Sequence, residues 1–467
     1  MDRINKMKRI IGCAVALCLV GLSANAADYV MWGGSISRNM YNPNEKNIAA
    51  KWDISAGENV KWKAQLGTQS YGNPIVYKGK VFVGTNNGHP RDPKVEGDKG
   101  IVMAFSESDG KFLWQAVHDK LPSGRVNDWP EQGICSTPCV ENDRIYYVTN
   151  RCEVVCYDVE GKLIWKLDMM KELGVFPHNM SNCSPIIVGD RVFIITSNGV
   201  DEAHHFIPAP EAPSFLACDK NTGKVLWTNN LPDNHILHGE WSNPSYGEVN
   251  GKGQVYFAGG DGWLYALSPD KGELIWKFDC NPKEAVYMLG PKGTRNHIIT
   301  TPVFYNNQVF VSVGEDPEHG EGPGHFYCID ATKTGDVTAT GKVWGFDKIK
   351  RSISTCSIKD GLVYQSDLSG FLYCLDLKTG KEIWTHDVLA AVWSSPTLID
   401  GKIFLSNEDG DVVVLAEGKE KKELGKSSVD NASYTTPTAA NGVLYVANGS
   451  ELFAIAPGAG KPASGGK

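Results

Sequence analysis

Residues 241–280 read WSNPSYGEVNGKGQVYFAGGDGWLYALSPDKGELIWKFDC, and this stretch decides the fold. It contains four short runs rich in β-branched and aromatic residues, separated by turns that contain Gly, Asn, Asp and Pro. Runs of this kind are typical of an antiparallel meander of four strands. Such a meander has two open edges and cannot bury both of its faces alone, so we expect further copies of it in the chain.

The same unit recurs along the chain, beginning with small residues before a proline and carrying a Trp in its fourth run. Eight such starts lie between 38 and 64 residues apart, and one of them lacks its proline. Their anchor residues are Pro74, Pro138, Pro185, Pro244, Pro302, Ile358, Pro396 and Pro437. Four strands in each of eight units predict an all-β protein, an eight-bladed β-propeller of four-stranded antiparallel blades.

The two ends of the chain predict how the ring closes. Only three runs follow the last start at Pro437, whereas residues 59–66 (NVKWKAQL) form an unmatched fourth run that carries Trp62. We expect this N-terminal strand to complete the last blade, because pairing the two ends removes the open edges. The predicted organisation is a signal peptide at 1–26, a segment at 27–57 that wraps the ring, the propeller at 58–457 and a disordered tail at 458–467.

The first 26 residues have the features of a cleaved secretory signal peptide. Basic residues precede an apolar run at 10–22, and Ala24 and Ala26 form a small-x-small cleavage site. We therefore expect a periplasmic or secreted protein. Cleavage removes four basic residues and one acidic residue, so the net charge of −8 becomes about −11. An acidic domain without clustered Lys and Arg is not expected to bind nucleic acid, and no other apolar run is long enough for a membrane helix.

The cysteines are expected to be mainly core residues. Of twelve in the chain, four take the place that Ala266 holds in the third strand of the quoted unit: Cys156, Cys218, Cys328 and Cys374. Small thiols at such a place are buried like small apolar side chains. Whether any cysteines form disulfides stays open, since an exported chain could form them. The chain has no CxxCH motif, which argues against attached c-type haem.

Three units carry a more specific pattern, at residues 371–384 (FLYCLDLKTGKEIW), 263–276 (WLYALSPDKGELIW) and 154–165 (VVCYDVEGKLIW). This pattern resembles the pyrroloquinoline-quinone-like repeat of the quinoprotein alcohol dehydrogenase-like propeller family. The resemblance covers nearly the whole chain after the signal peptide and implies the propeller fold. It does not select a function, because the family includes quinone-dependent dehydrogenases and also non-enzymatic propellers such as the scaffold lipoprotein of the outer-membrane barrel assembly machine.

Nearly all long connections are predicted to lie on one face of the ring. In a meander of four strands, the connections from second to third strand share a face with those that join successive units. The long insertions are of these two kinds and belong to units one to five: 86–99, 118–134, 169–182, 197–213, 231–240, 281–298 and 314–324. Long loops in compact folds are often functional, so this face is predicted to bind a ligand.

The composition of these loops supports a binding site. Ten of the eleven histidines lie in or beside them, together with carboxylates and tryptophans, and such side chains around one funnel could bind a cation or act in acid–base chemistry. The predicted ligand-binding residues are Asp128, Trp129, His178, Asn179, His204, His205, His238, Trp241, Asp261, Arg295, His297 and His319. The candidate metal ligands are Asp261, Glu315 and Asp316.

Two functions are compatible with these observations. The first is a binding or scaffold module whose partner is an envelope protein, a glycan or a small molecule. The second, implied by the resemblance, is a dehydrogenase of alcohols or sugars that depends on pyrroloquinoline quinone (PQQ) and calcium. In that case Trp241 would form the floor under the quinone, Asp261 would bind calcium and Asp279 would be the catalytic base. The chain lacks the adjacent cysteine pair that covers the quinone in many such enzymes, and no Ser–His–Asp order or HExxH motif supports a hydrolase.

Overall fold

The computed structural model describes residues 27–290, 292–315, 320 and 322–460. Within these residues the chain forms eight sheets, each with four antiparallel strands, which are the blades of a propeller. The predicted fold class is confirmed. The predicted signal peptide and residues 461–467 of the predicted tail lie outside the described residues.

The strands follow one another in chain order from the inside of each blade to its outside. Ahead of the first blade are β1 (Tyr41–Asn42) and β2 (Val60–Gln65). Blade 1 consists of β3 (Ile75–Tyr77), β4 (Lys80–Asn86), β5 (Lys99–Ser106) and β6 (Phe112–Asp119), and blade 2 of β7 (Cys139–Glu141), β8 (Arg144–Val148), β9 (Glu153–Asp158) and β10 (Leu163–Asp168). The short helix α1 (Met169–Leu173) leads to blade 3, which consists of β11 (Ile186–Val188), β12 (Arg191–Ile195), β13 (Phe215–Asp219) and β14 (Val225–Asn229). Blade 4 consists of β15 (Ser245–Val249), β16 (Lys252–Ala258), β17 (Trp263–Leu267) and β18 (Leu274–Asp279).

The remaining blades follow the same plan, with two additions. Blade 5 consists of β19 (Val303–Tyr305), β20 (Gln308–Val313), β21 (His325–Asp330) and β23 (Lys342–Phe346), and β22 (Gly335–Asp336) lies between its last two strands in sequence. Blade 6 consists of β24 (Ser357–Lys359), β25 (Leu362–Ser366), β26 (Phe371–Asp376) and β27 (Glu382–Asp387), and blade 7 of β28 (Thr397–Ile399), β29 (Lys402–Ser406), β30 (Asp411–Ala416) and β31 (Glu423–Ser428). Blade 8 contains β32 (Thr438–Ala440), β33 (Val443–Ala447) and β34 (Glu451–Ile455). β1 pairs with β28 and β22 with β18, both in parallel.

Strand β2 closes the ring. It pairs antiparallel with β34 and thus provides the fourth strand of blade 8, as predicted.

In every blade the register shifts once where the fourth strand pairs with the third, between Ala266 and Leu267 in blade 4 for example. Such a bulge increases the local twist of the sheet and redirects the side chains beside it.

The fourth-strand tryptophans connect one blade to the next. Trp62 donates its indole N–H to the carbonyl of Glu107 (2.9 Å), and Trp165 does the same to Lys220 (3.0 Å), in each case in a turn of the following blade. In that turn Gly223 has a φ of +74°, and a Cβ there would lie 2.5 Å from the Trp165 ring. The recurring Gly and Trp are therefore the two halves of one contact between blades.

The N-terminal segment, which we expected to wrap the ring, lies along its inner strands. The backbone of Tyr29 pairs with Val76 of blade 1, and Tyr41 of β1 pairs with Leu398 of blade 7. The Asn42 amide donates to the Ala439 carbonyl in blade 8 (2.8 Å). The physical reason is that each innermost strand has an unpaired edge, whose N–H and C=O groups need partners when they are buried.

The long connections gather on one face, as the sequence predicts. Backbone bridges join 177 to 198 and 199 to 239, so that three loops from blades 2 to 4 contact one another. The segment 331–341 is the exception on the opposite face, and it places β22 against the outer edge of blade 4.

The four third-strand cysteines are buried, and the cysteines in the described part of the chain are unpaired.

Candidate functional site

Three histidines from three different loops meet on the long-loop face. His178 lies between blades 2 and 3, His204 between β12 and β13, and His238 between blades 3 and 4. One nitrogen of each ring lies within 4.8 Å of the other two, and Nε2 of His204 is 3.2 Å from Nε2 of His178. His178 and His238 are buried, whereas His204 is partly exposed. This group, called the histidine cluster below, has the side chains and spacing of a metal-binding site.

Short backbone pairings hold the cluster together. The amide of Gly199 donates to the Phe176 carbonyl, and that of Val200 donates to the His238 carbonyl (2.9 Å). Gly199 has no room for a side chain, because a Cβ there would lie 2.5 Å from the His238 carbonyl oxygen and 2.6 Å from the Cβ of His178. A glycine at this position therefore allows the loops that carry His178 and His238 to approach closely.

Trp241 and His297 pack against the cluster. The ring centroid of His238 lies 4.7 Å from that of Trp241 and 5.5 Å from that of His297. Trp241 is buried, and its indole Nε1 has no hydrogen-bond partner among the described residues. The cluster therefore lies directly behind an aromatic side chain that also lines the central funnel.

The funnel is a cavity of about 210 Å³ on the ring axis, formed by the segments that precede the innermost strands. Tyr71 and Tyr434 stack with centroids 5.1 Å apart, and Trp393 meets Tyr434 edge-on at 5.5 Å. The amides of Asn73 and Asn243 bridge to Thr side chains of the next blade. None of the described residues that line this cavity carries a charge at pH 7.

The N-terminal segment forms the floor of the funnel. Trp32 lines the cavity, and the buried side chain of Arg38 holds the backbone beneath it. The guanidinium donates to the carbonyls of Trp32 (2.7 Å), Pro244 (2.9 Å), Ser184 (2.5 Å) and Pro185 (3.1 Å). Burial lowers the pKa of Arg38 to about 10, so the group stays charged at neutral pH.

The predicted carboxylates are held by neighbouring protein groups. The Asp261 carboxylate accepts the Tyr265 hydroxyl (2.6 Å) and the Trp263 amide (3.0 Å), and burial raises its pKa to about 6. Asp279 forms a two-bond ion pair with Arg295 (2.7 and 3.0 Å). This pairing does not favour Asp279 as a base, because the ion pair stabilises the charged carboxylate and occupies both of its oxygens.

Asp128 and Trp129 brace the loop beside the cluster. Asp128 accepts hydrogen bonds from Lys120, from the Leu121 amide (2.9 Å) and from the Asn150 amide (2.7 Å). Burial is the main reason that the pKa of Asp128 is raised. The Trp129 amide donates to the carbonyl of Asn179 (2.7 Å), which directly follows His178. These residues position the histidine cluster but do not line the funnel.

A second cavity of about 260 Å³ borders the cluster at His238. His238, Arg295, His297 and Glu315 line it, together with Met288. The structure thus brings together five of the predicted residues: His178, His204, His238, Trp241 and His297. His205 is exposed and lies outside the cluster of three. His319 and Asp316 lie outside the described residues.

Sequence reasoning missed Arg38, Trp32 and most of the aromatic wall of the funnel. The sequence does contain a signal for this wall. In four of the starts, the residue three positions before the proline is aromatic. These residues are Tyr71, Trp241, Trp393 and Tyr434. Nothing in the sequence marks Arg38 as buried, since its partners are backbone carbonyls of distant blades.

Comparison with known proteins agrees with this architecture. A family model described as outer membrane protein assembly factor BamB matches residues 98–336 and 335–464. The dehydrogenase subunit of a quinone alcohol dehydrogenase from Komagataeibacter europaeus is 21% identical over 410 residues, which cover 82% of this chain and 48% of that protein. The outer membrane protein assembly factor BamB of Yersinia pestis is 21% identical over 306 residues, covering 64% of this chain and 62% of that protein.

Solved structures are similar in fold. A europium-containing methanol dehydrogenase superposes with a TM-score of 0.62 at 13% identity, covering 92% of this chain and 98% of that chain. Likeness at this level of identity shows the fold alone. The chain spans about half the length of the quinone-dependent relatives that it matches. In the part of the chain that the structure describes, no helix has the length and apolar character needed to cross a membrane.

Proposed function

This chain belongs to the family of the outer membrane protein assembly factor BamB, and we propose that it is an exported binding module that takes a small, uncharged, flat-faced ligand into its funnel. Neutral glycans are the ligand class that we favour. The observation that carries the proposal is the wall of Tyr71, Trp241, Trp393 and Tyr434 over the floor formed by Trp32. Apolar pockets with a few placed polar groups are typical of small-molecule sites.

The polar groups of the funnel support an uncharged ligand. Side-chain amides of Asn73, Gln132, Asn182 and Asn243 lie among the aromatic rings. Amides offer both donors and acceptors, which suits hydroxyl groups, while aromatic faces suit the C–H faces of sugar rings. A strongly charged ligand would lose its hydration in this cavity without gaining an opposite charge.

The alternative, a PQQ- and calcium-dependent dehydrogenase, has support from the name of one relative, the dehydrogenase subunit of a quinone alcohol dehydrogenase. The residues of the funnel do not fit those groups. Calcium prefers six to eight oxygen ligands, carboxylates among them, and no described residue that lines the funnel is an Asp or Glu. The quinone carries carboxylate groups, and no described Arg or Lys lines the funnel to bind them. We therefore derive no catalytic step through either group.

The test is a binding titration followed by intrinsic tryptophan fluorescence. Neutral oligosaccharides are added to the purified protein, and PQQ with calcium is added to a separate sample. We expect saturable binding of an oligosaccharide that Tyr434→Ala weakens about ten-fold or more, because losing a buried aromatic contact removes about 1.5–3 kcal/mol. Phe206→Ala is the matched control, since Phe206 is a 58% exposed aromatic residue on the same face that does not line the funnel.

Two results would contradict the proposal. One is equal weakening by Tyr434→Ala and Phe206→Ala, which would place the ligand outside the funnel. The other is retention of PQQ with calcium after desalting, together with dye reduction by alcohols and no oligosaccharide binding. That second result would favour the dehydrogenase.

A further inference from the structure

We propose that His178, His204 and His238 bind one divalent transition-metal ion through their imidazole nitrogens. The three rings come from three loops, and their centroids lie 4.9, 4.5 and 4.5 Å apart. This site is separate from the funnel, since none of the three histidines lines that cavity. The proposal of a metal site is therefore independent of the proposal of a ligand in the funnel.

The spacing of the nitrogens fits tetrahedral coordination. Two imidazole nitrogens bound to one tetrahedral zinc ion, each about 2.0–2.1 Å from the metal, lie about 3.3 Å from each other. The Nε2 atoms of His178 and His204 are 3.2 Å apart. All three ligand atoms lie within 4.8 Å of one another, so a small rotation of the rings would complete the site.

The protein also sets the orientation of one ligand. Nδ1 of His178 is 2.8 Å from the carbonyl oxygen of Val200. A carbonyl can only accept, so Nδ1 carries the proton in this contact, and in the neutral ring Nε2 is then the atom that can bind a metal. Metal-binding histidines are commonly oriented by this kind of bond from the second ring nitrogen to a carbonyl.

The ligand type indicates which metals are suited to the site. Among the described residues the group consists of three imidazoles without a carboxylate, which favours zinc, copper, nickel or cobalt over calcium and magnesium. Three protein ligands leave a fourth position for water or another molecule. His204 is the partly exposed member of the group.

The test uses the purified untagged protein, freed of metal with a chelator and then titrated with Co²⁺ or Zn²⁺ alone. We expect about one equivalent of zinc by elemental mass spectrometry and, with cobalt, the intense visible absorption of tetrahedral coordination. His204→Asn should weaken metal binding about ten-fold or more. Asn is the chosen replacement because His204 has a φ of +56°, a left-handed conformation that Asn tolerates.

His205→Asn is the matched control, because His205 is the next residue, is exposed and lies outside the cluster. It should bind metal within about two-fold of the unsubstituted protein. Circular dichroism establishes that both variants fold. The proposal is overturned if the folded, unsubstituted protein retains no metal near one equivalent, or if the two variants bind metal equally. Neither result depends on the funnel ligand, so failure here leaves the proposed function untouched.

Discussion

Trp276 differs from the other outer-strand tryptophans in how its indole is held. It is fully buried, and its N–H donates to the side chain of Gln254 (2.9 Å) within its own blade, whereas Trp344 donates to a backbone carbonyl of the next blade. Strand β22 pairs alongside Trp276 and covers it from the outside. At the scale of one residue, the tryptophan at the same position of the repeat thus binds within its own blade in blade 4 and binds the next blade in blade 5.

We expect Trp276→Ala to lower the free energy of unfolding by about 3–5 kcal/mol, because it creates a large cavity and leaves the buried Gln254 oxygen without its donor. Urea denaturation followed by circular dichroism measures this change. Phe206→Ala, at an exposed site, is the control and should change stability by less than about 0.5 kcal/mol. A loss below about 1 kcal/mol for Trp276→Ala would show that this packing does not support the blade.

At the scale of elements, the ring depends on one strand from the opposite end of the chain. β2 carries Trp62 against blade 1 and pairs with β34, so it joins the last blade both to the C-terminal strands and to the first blade. Without it, β34 would expose a row of unpaired backbone groups. The closure is therefore a contact of very large sequence separation.

Deleting residues 59–66 should promote aggregation, because the open edge of β34 can pair with other chains. Size-exclusion chromatography and thermal denaturation measure the effect. The control carries the same strand after residue 457 instead, joined by a short linker, and in both proteins a flexible linker of the same length connects residue 58 to residue 67. We expect the control to elute and melt like the unaltered protein. A deletion variant that does so too would argue against closure by β2.

At the scale of the whole molecule, the segment 27–45 connects blades that are far apart in sequence. Arg38 donates to carbonyls that precede blades 3 and 4, and the Glu45 carboxylate accepts from the amides of Asn441 and Gly442 in blade 8. The segment thus ties opposite sides of the ring together and supports the funnel floor. Without this segment, the backbone groups that it binds would be exposed to water at the centre of the ring.

Arg38→Met should lower the free energy of unfolding by at least about 2 kcal/mol, because buried carbonyl groups lose their donors while most of the side-chain volume is kept. It should also speed cleavage of the N-terminal segment by subtilisin, measured by mass spectrometry of the fragments. Arg191→Met is the control, since its pairing with Asp270 (2.9 Å) is at the surface and worth about 0–1 kcal/mol. Equal stability and equal cleavage of the two variants would contradict this role for Arg38.

The sequence was sufficient for the architecture because its signals are local and repeated. Alternating apolar runs, turn residues and the Gly–Trp spacing are each patterns of a few residues. Their repetition along the chain reveals the repeating unit of the fold. The unmatched strand with Trp62 predicted the closure for the same reason. The two additional strands, β1 and β22, were missed because each is two residues long and pairs only through tertiary contacts.

The sequence by itself determined that eight similar sheets form a ring whose long loops share a face, since strand alternation and turn chemistry leave little choice of topology. Only the tertiary structure decided which loop side chains meet. His204 and His205 are neighbours in the chain, yet one joins His178 and His238 and the other is exposed. The physical reason is that distances across the ring follow from the packing of blades and from loop backbone conformations, which no short sequence pattern encodes.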